Sequence, residues 1–389
     1  MAHVLLGWEL GGGSGHALKL ATLGERLRAA GHEVTLALRW VHVLDPERAG
    51  GSPIWQGPSY PPMRPQSARL PMPRSMGDIL TRLGFQDVGV IAALLGAWQR
   101  ILETLKPDVV VAEYAPLLLA AARGRIPAVA TGTAFELPPA NMDSFPSLDG
   151  GPPLFDEART LTAVNTAFAR AGVKEIGRLP EMFAAERSIA ASFPELDYYA
   201  EARADPLADP SLPKPRPVPA TDEGEEIFFY SSTPPRPDAL LWAALERSKR
   251  KVRVHLPKMT EAYRTKLAVR GFAVEADPVP FADIAGRSRL IVSHGGMGTV
   301  SSALLAGRPQ IVCPFDLEKL MQARAVDRLK VGGFMPMEAI DPDAFAKKVE
   351  AMYEDEDLAR RARELAHAIA ARPSVEIGEA VAGAVEELA

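Results

Sequence analysis

The stretch Ser293-His294-Gly295-Gly296-Met297-Gly298-Thr299 narrows the choice of fold more than any other part of this 389-residue chain. A short apolar run, 290–292, feeds it. A helical run, 300–306, leaves it and stops at Gly307, and a second apolar run, 311–313, ends at Pro314. Strand, glycine turn, helix and strand in that order present free backbone N–H groups and the positive end of a helix to an anion. With His294 as an extra donor at the strand end, the expected anion is a diphosphate.

The same alternation runs through the chain. In the first half, strands are expected at 3–7, 33–38, 109–112 and 128–131. Helical patterns lie between them: Leu20, Leu23 and Leu27 at helical spacing, the stretch 78–105, and 116–122. Regularity fades between about 135 and 220, where prolines cluster at 138–153 and again at 206–219, the second cluster reading as an interdomain linker. The second half restarts, with strands expected at 227–230, 252–256, 272–274, 290–292 and 311–313 and two closing helices around 355–371 and 374–388. The apolar strand runs suit parallel sheets covered on both faces. The expected fold is α/β, with two doubly wound Rossmann-like domains and a ligand cleft between them at the strands' carboxyl ends. The expected division is 1–220, 221–372 and a terminal helix, 373–389, packing back on the first domain.

Composition excludes several function classes. A net charge of -5 gives no support for a nucleic-acid partner. Cys313 is the only cysteine and sits in an apolar run, which favours a buried small hydrophobe over a nucleophile. The amino terminus lacks a basic segment and a long apolar run, and the longest apolar stretch, 88–98, is short of a membrane span. No integral membrane segment and a cytoplasmic location are therefore expected. No two of the seven histidines sit at a metal-ligand spacing, so no metal is assigned.

Val279-Pro280, the glycine turn, Ala303-Leu304, Gly307, Pro309, Pro314, Gln322-Ala323 and Gly332 together resemble the donor-binding signature of GT-B glycosyltransferases, of the UDP-glycosyltransferase type. The resemblance implies inverting, metal-independent transfer of a sugar from a nucleotide diphosphate sugar, with UDP or dTDP favoured. No cofactor is implied. The partners implied are the nucleotide-sugar donor and a small-molecule, lipid-like or saccharide acceptor. His294, Gly296, Gly298 and Thr299 should line the diphosphate, joined by Ser231 and Ser232 after the first strand of the second domain. Val279 and Phe281 should hold the base and Ser302 the ribose. Glu318 and Lys319 take the sugar-reading places.

Three of these depart from the family. Ser302 stands where many members carry a glutamate. Glu318-Lys319 replaces an Asp-Gln pair, leaving an acidic, amino or deoxy sugar open.

Inverting transfer to a hydroxyl needs a general base. The resemblance places a histidine at the end of the first glycine-rich loop, where this chain has Gly11-Gly12-Gly13-Ser14-Gly15-His16. It places an orienting carboxylate at the end of the strand near residue 113, where Glu113 stands in place of the usual aspartate. A cap or contact at the start of a helix is the alternative role for His16. Two other readings of the whole chain stay open: a nucleotide-sugar 2-epimerase-like isomerase, and a non-catalytic nucleotide-sugar-binding protein. The loop Trp8-Glu9-Leu10 and residues 61–74 and 135–150 are expected to shape the acceptor pocket; Arg64, Arg69 and Arg74 either meet an anionic acceptor or belong to a solvated loop.

Overall fold

In the computed structural model the chain forms two compact units, Met1–Asp209 with Val375–Ala389 and Pro210–Ser374. The structure describes residues 1–60, 71–233, 235–236, 238–257 and 259–389, so Arg64 and Arg69 lie outside the described residues.

Unit 1 is built on strands β1 (His3–Trp8), β2 (Glu33–Leu38), β3 (Ile54–Gln56), β4 (Val109–Glu113), β5 (Ala128–Thr133), β6 (Arg187–Ala191) and β7 (Leu207–Ala208). They pair in parallel in the order β3-β2-β1-β4-β5-β6-β7. Unit 2 holds β8 (Glu226–Tyr230), β9 (Val252–His255), β10 (Ala273–Glu275), β11 (Ser288–Ser293), β12 (Gln310–Val312) and β13 (Gly332–Phe334). These strands are also parallel, in the order β10-β9-β8-β11-β12-β13. Each sheet reverses its winding direction once, between β1 and β4 and between β8 and β11. A doubly wound sheet opens its ligand crevice at that point.

The unit boundary lies ahead of the expected 220. The reason is that β7 still pairs with β6, which keeps the chain in the first sheet through Ala208. The helix Ile377–Leu388 contributes Val381, Ala384 and Val385 to the unit 1 core, alongside Val4, Leu6, Val109 and Val111. Burial of the two valines, at roughly 1.5–3 kcal/mol each, favours its docking there. Arg26–Glu376 and His32–Glu386 pairs add to that contact.

The helix Val88–Leu105 is, by length and composition, apolar enough to cross a membrane, unlike the short stretch expected there. Its buried residues, Ile91, Leu94, Leu95, Trp98, Ile101 and Leu102, recur at helical spacing and pack on the helices Pro116–Ala122 and Glu157–Ala171. That amphipathic pattern is the one a core helix needs. Its first turn is capped by the Asp87 carboxylate, which accepts from the N–H groups of Gly89 and Val90.

Candidate active site

In unit 1 the switch point gathers a histidine, a lysine and two glutamates. The helix Gly15–Ala29 begins beside β1 and carries His16 and, one turn on, Lys19. His16 Nδ1 lies 3.1 Å from Glu113 Oε1 at the end of β4. On the other side of the ring, His16 Nε2 lies 3.6 Å from Glu136 Oε1, in the turn after β5. Lys19 Nζ is 3.0 Å from Glu113 Oε1 and 3.7 Å from Glu136 Oε2, so one ammonium serves both carboxylates. His16, Glu113 and Glu136 are all buried. Trp8 stacks on the imidazole at 5.1 Å and Tyr114 lies tilted beside it at 6.3 Å. Gly11 is required here by space. At φ +78°, a Cβ on it would stand 2.4 Å from His16 Nε2.

Burial alone would push the Glu113 carboxyl up, but Lys19 and His16 outweigh it and hold the group down at about 2. Burial acts on Glu136 in the same sense. There Lys19, His16 and the Thr133 N–H prevail, and the group stays below its ordinary value. Both carboxylates are therefore charged at neutral pH. Their oxygens and the His16 nitrogens lie within 4.8 Å of one another, a spacing that also suits a divalent cation. The cation the protein itself supplies there is Lys19. Glu136 carries no motif, and the one hint in the sequence is its place just after a strand end.

The loop that carries this site is fastened by Glu9. Its carboxylate accepts from the backbone N–H of Leu117 and Leu118 at 3.0 and 3.1 Å and from the Tyr60 hydroxyl. Burial pushes this carboxyl up from 4.5 to about 7, against those hydrogen bonds. Because the folded value is the higher one, the stability it contributes is fully present below about pH 4.5. It is lost as pH rises through about 7, a change of about 3 kcal/mol. Glu9→Gln should remove that slope. Melting temperatures of the two proteins across pH 4.5–8 should converge at the acid end and diverge in the variant's favour at the alkaline end. Parallel curves would contradict this reading of Glu9.

In unit 2 the opening glycine turn lies at the end of β11. Gly295 adopts φ +91°, and a Cβ there would stand 2.6 Å from Val312 Cγ1. Its N–H is taken by Ser293 Oγ at 3.2 Å. Gly296 caps the ten-residue helix Met297–Ala306 without any side-chain cap, so the N–H groups of its first turn, Gly298 and Thr299 included, have no side-chain acceptor from the cap.

His294 is buried, and Ser232 Oγ lies 3.1 Å from its Nε2. Burial, and then the nearby Lys319, push the imidazole down to about 4, so it is neutral at pH 7. When Ser232 donates to Nε2, the ring's single proton sits on Nδ1, which has no partner among the described residues. The ring of Phe315 stacks on His294 at 5.9 Å.

Other expected donor residues are placed differently from the sequence reading. Ser231 Oγ donates to the Thr233 carbonyl at 2.6 Å. Ser302 is buried, and its Oγ donates to the Gly298 carbonyl at 2.6 Å, one turn back in its own helix. With its proton spent there, the Ser302 hydroxyl keeps only its acceptor capacity. Val279 and Phe281 are half-buried and pack on a cluster of Phe228, Ile284, Ile291 and Ala303. Glu318 Oε2 and Lys319 Nζ pair with each other at 2.6 Å, with Asp316 Oδ2 at 3.4 Å from the same ammonium. Cys313 is buried and its thiol is pushed up to about 12 by burial, which removes it as a nucleophile.

Comparison with known proteins adds to this geometry. Residues 252–388 match the family described as erythromycin biosynthesis protein CIII-like, C-terminal domain. The NDP-glycosyltransferase YjiC of Bacillus subtilis (strain 168) is 31% identical over 87 residues, covering 22% of this chain and 22% of that one. The chain thus spans little more than a fifth of that relative's length in the alignment. Among solved structures, the calicheamicin glycosyltransferase CalG4 superposes with a TM-score of 0.72 at 20% identity, covering 100% of this chain and 98% of that one. The Streptomyces sp. SF2575 glycosyltransferase SsfS6, solved with thymidine diphosphate, gives 0.64 at 20% identity and covers 100% of both chains. In fold over its whole length, and in sequence over residues 252–388, the chain is similar to bacterial GT-B glycosyltransferases of the UDP-glycosyltransferase type.

Proposed function

We propose that this protein transfers a sugar from a nucleoside diphosphate sugar to a hydroxyl of a small-molecule acceptor, with inversion at the anomeric carbon and without a metal ion. The observation that carries the reading is the β11 turn: an uncapped ten-residue helix and a neutral buried His294 which, with its Nε2 taken by the Ser232 hydroxyl, has its Nδ1–H to give, all at one switch point. Such a set offers hydrogen-bond donors to a leaving diphosphate as its charge grows. The likeness to a fold solved with thymidine diphosphate supports a UDP or dTDP donor.

In unit 1, Glu113 holds the Nδ1 proton of His16, leaving Nε2 as the base. The acceptor O–H bond breaks with its proton passing to Nε2, the oxygen bonds to the anomeric carbon, and the bond to the β-phosphate breaks with its electron pair leaving on the diphosphate. Lys19 keeps both carboxylates charged and so favours the imidazolium that forms.

Thymidine diphosphate or UDP at 100 times its Kd should stabilise the protein by about 2.7 kcal/mol, read as a rise in melting temperature. Acceptor-dependent release of nucleotide should persist in EDTA, and NMR should show the product anomer opposite to the donor's. Loss of transfer in EDTA, restored by Mg²⁺ or Mn²⁺, would contradict the metal-free reading. Retention of configuration would contradict the single-displacement one.

A further inference from the structure

We infer that Glu136 selects the acceptor, and that the acceptor group entering beside His16 carries two adjacent hydrogen-bond donors, a vicinal diol or a vicinal amino alcohol, one of which is the nucleophile. The inference rests on the proposed transfer with His16 as base.

A neutral imidazole carries one ring proton, and Glu113 claims it at Nδ1, 3.1 Å away. Nε2 is then an acceptor. Glu136 Oε1 lies 3.6 Å from it and, as part of a charged carboxylate, is an acceptor too. The other oxygen of Glu136 is already engaged, accepting from the Thr133 N–H at 2.7 Å with Lys19 Nζ at 3.7 Å.

Two acceptors therefore stand side by side, on two residues that are each more than nine-tenths buried. A group that binds there has to bring two hydrogens, because a buried acceptor left without a donor is costly. A lone hydroxyl brings one. Two neighbouring hydroxyls on a ring, or a hydroxyl beside an amine, bring two at a separation comparable to that between Nε2 and Oε1. Once the nucleophile's proton has moved to Nε2, the imidazolium has Glu113 on one side and Glu136 on the other.

The test uses UDP-glucose and thymidine diphosphate glucose as donors and matched acceptor pairs: 6,7-dihydroxycoumarin against 7-hydroxycoumarin, and trans-1,2-cyclohexanediol against cyclohexanol. A hydrogen bond to a charged group predicts that kcat/KM favours each diol by about tenfold or more. In Glu136→Ala the preference should fall to within about threefold of unity, and in Glu136→Gln, whose amide oxygen still accepts but carries no charge, it should fall severalfold below the wild-type value. The melting temperature reports folding, and Glu136→Gln carries the comparison where the alanine variant does not fold.

Equal use of diol and single hydroxyl by the wild type, a diol preference unchanged in the variants, or no transfer to any diol while the donor is bound would each overturn the inference. Efficient transfer to single hydroxyls would do so while leaving the proposed function standing. Failure of both nucleotides to bind, with no transfer at all, would remove both.

Discussion

His16→Ala is expected to lower kcat for acceptor glycosylation by about 10²–10⁴-fold, the usual contribution of a positioned general base. Nucleotide affinity should stay unchanged, because every group assigned to the diphosphate lies in unit 2. The size of the loss follows from how completely the ring is organised. It is stacked on Trp8, bonded to Glu113 at Nδ1 and faced by Glu136 at Nε2. A hydroxyl's own proton is far too weakly acidic to leave unaided at neutral pH.

Glu113→Gln should follow in the same direction with a smaller loss. The amide keeps a hydrogen bond but not the charge that steadies the imidazolium. Because Lys19 and His16 hold Glu113 down at about 2, its own titration should not shape the pH–rate profile above about pH 4. A variant with wild-type kcat at position 16 would remove the base assignment. A variant that lost nucleotide binding as well would point to a structural role for the histidine.

Gly295→Ala should cost about 2–5 kcal/mol of stability, the sum of a left-handed backbone forced on a side chain and a methyl driven into Val312. The observations are φ +91° and a 2.6 Å approach to Val312 Cγ1. The expected fall in melting temperature is roughly 5–15 °C, with nucleotide affinity lost in step, since the same turn sets where the helix Met297–Ala306 begins. Gly96→Ala is the control. It lies inside the helix Val88–Leu105 with nothing within 4 Å of an added Cβ, so it should stabilise by about 0.5–1 kcal/mol. Similar behaviour of the two variants, by differential scanning fluorimetry, would mean that the turn is not built as described.

Much of this was legible from residue pattern. The strand at 33–38 and the helix at 116–122 were found at their observed bounds, because Pro116 starts the helix and a buried apolar run fills it. The turn after β11 was legible because three glycines, a histidine and a following apolar helix occur together.

What was missed has a physical reason in each case. The strands β3, β7 and β13 are two or three residues long, too short to show alternation. The helix Glu157–Ala171 buries only Thr160, Val164, Ala167 and Phe168 and lies between proline clusters, so its periodicity is faint. In the helix Leu317–Arg328 the buried face includes Gln322.

The site shows the same division. His16 and Glu113 were singled out through a family pattern, and the structure brings them to 3.1 Å. Lys19 and Glu136 carry none, and acquire meaning only when the Gly15–Ala29 helix and the turn after β5 meet at the switch point. Where the Ser302 hydroxyl turns was not legible, because a position in a motif does not say so, and a helical serine can bond back to the carbonyl four residues earlier.

The most direct measurement is isothermal titration of thymidine diphosphate and UDP into the wild type, His16→Ala and Gly295→Ala. One site is predicted, with equal affinity in the wild type and His16→Ala and markedly weaker binding in Gly295→Ala. Absence of binding by both nucleotides to the wild type, or binding untouched by Gly295→Ala, would contradict the assignment of the β11 turn as the diphosphate site.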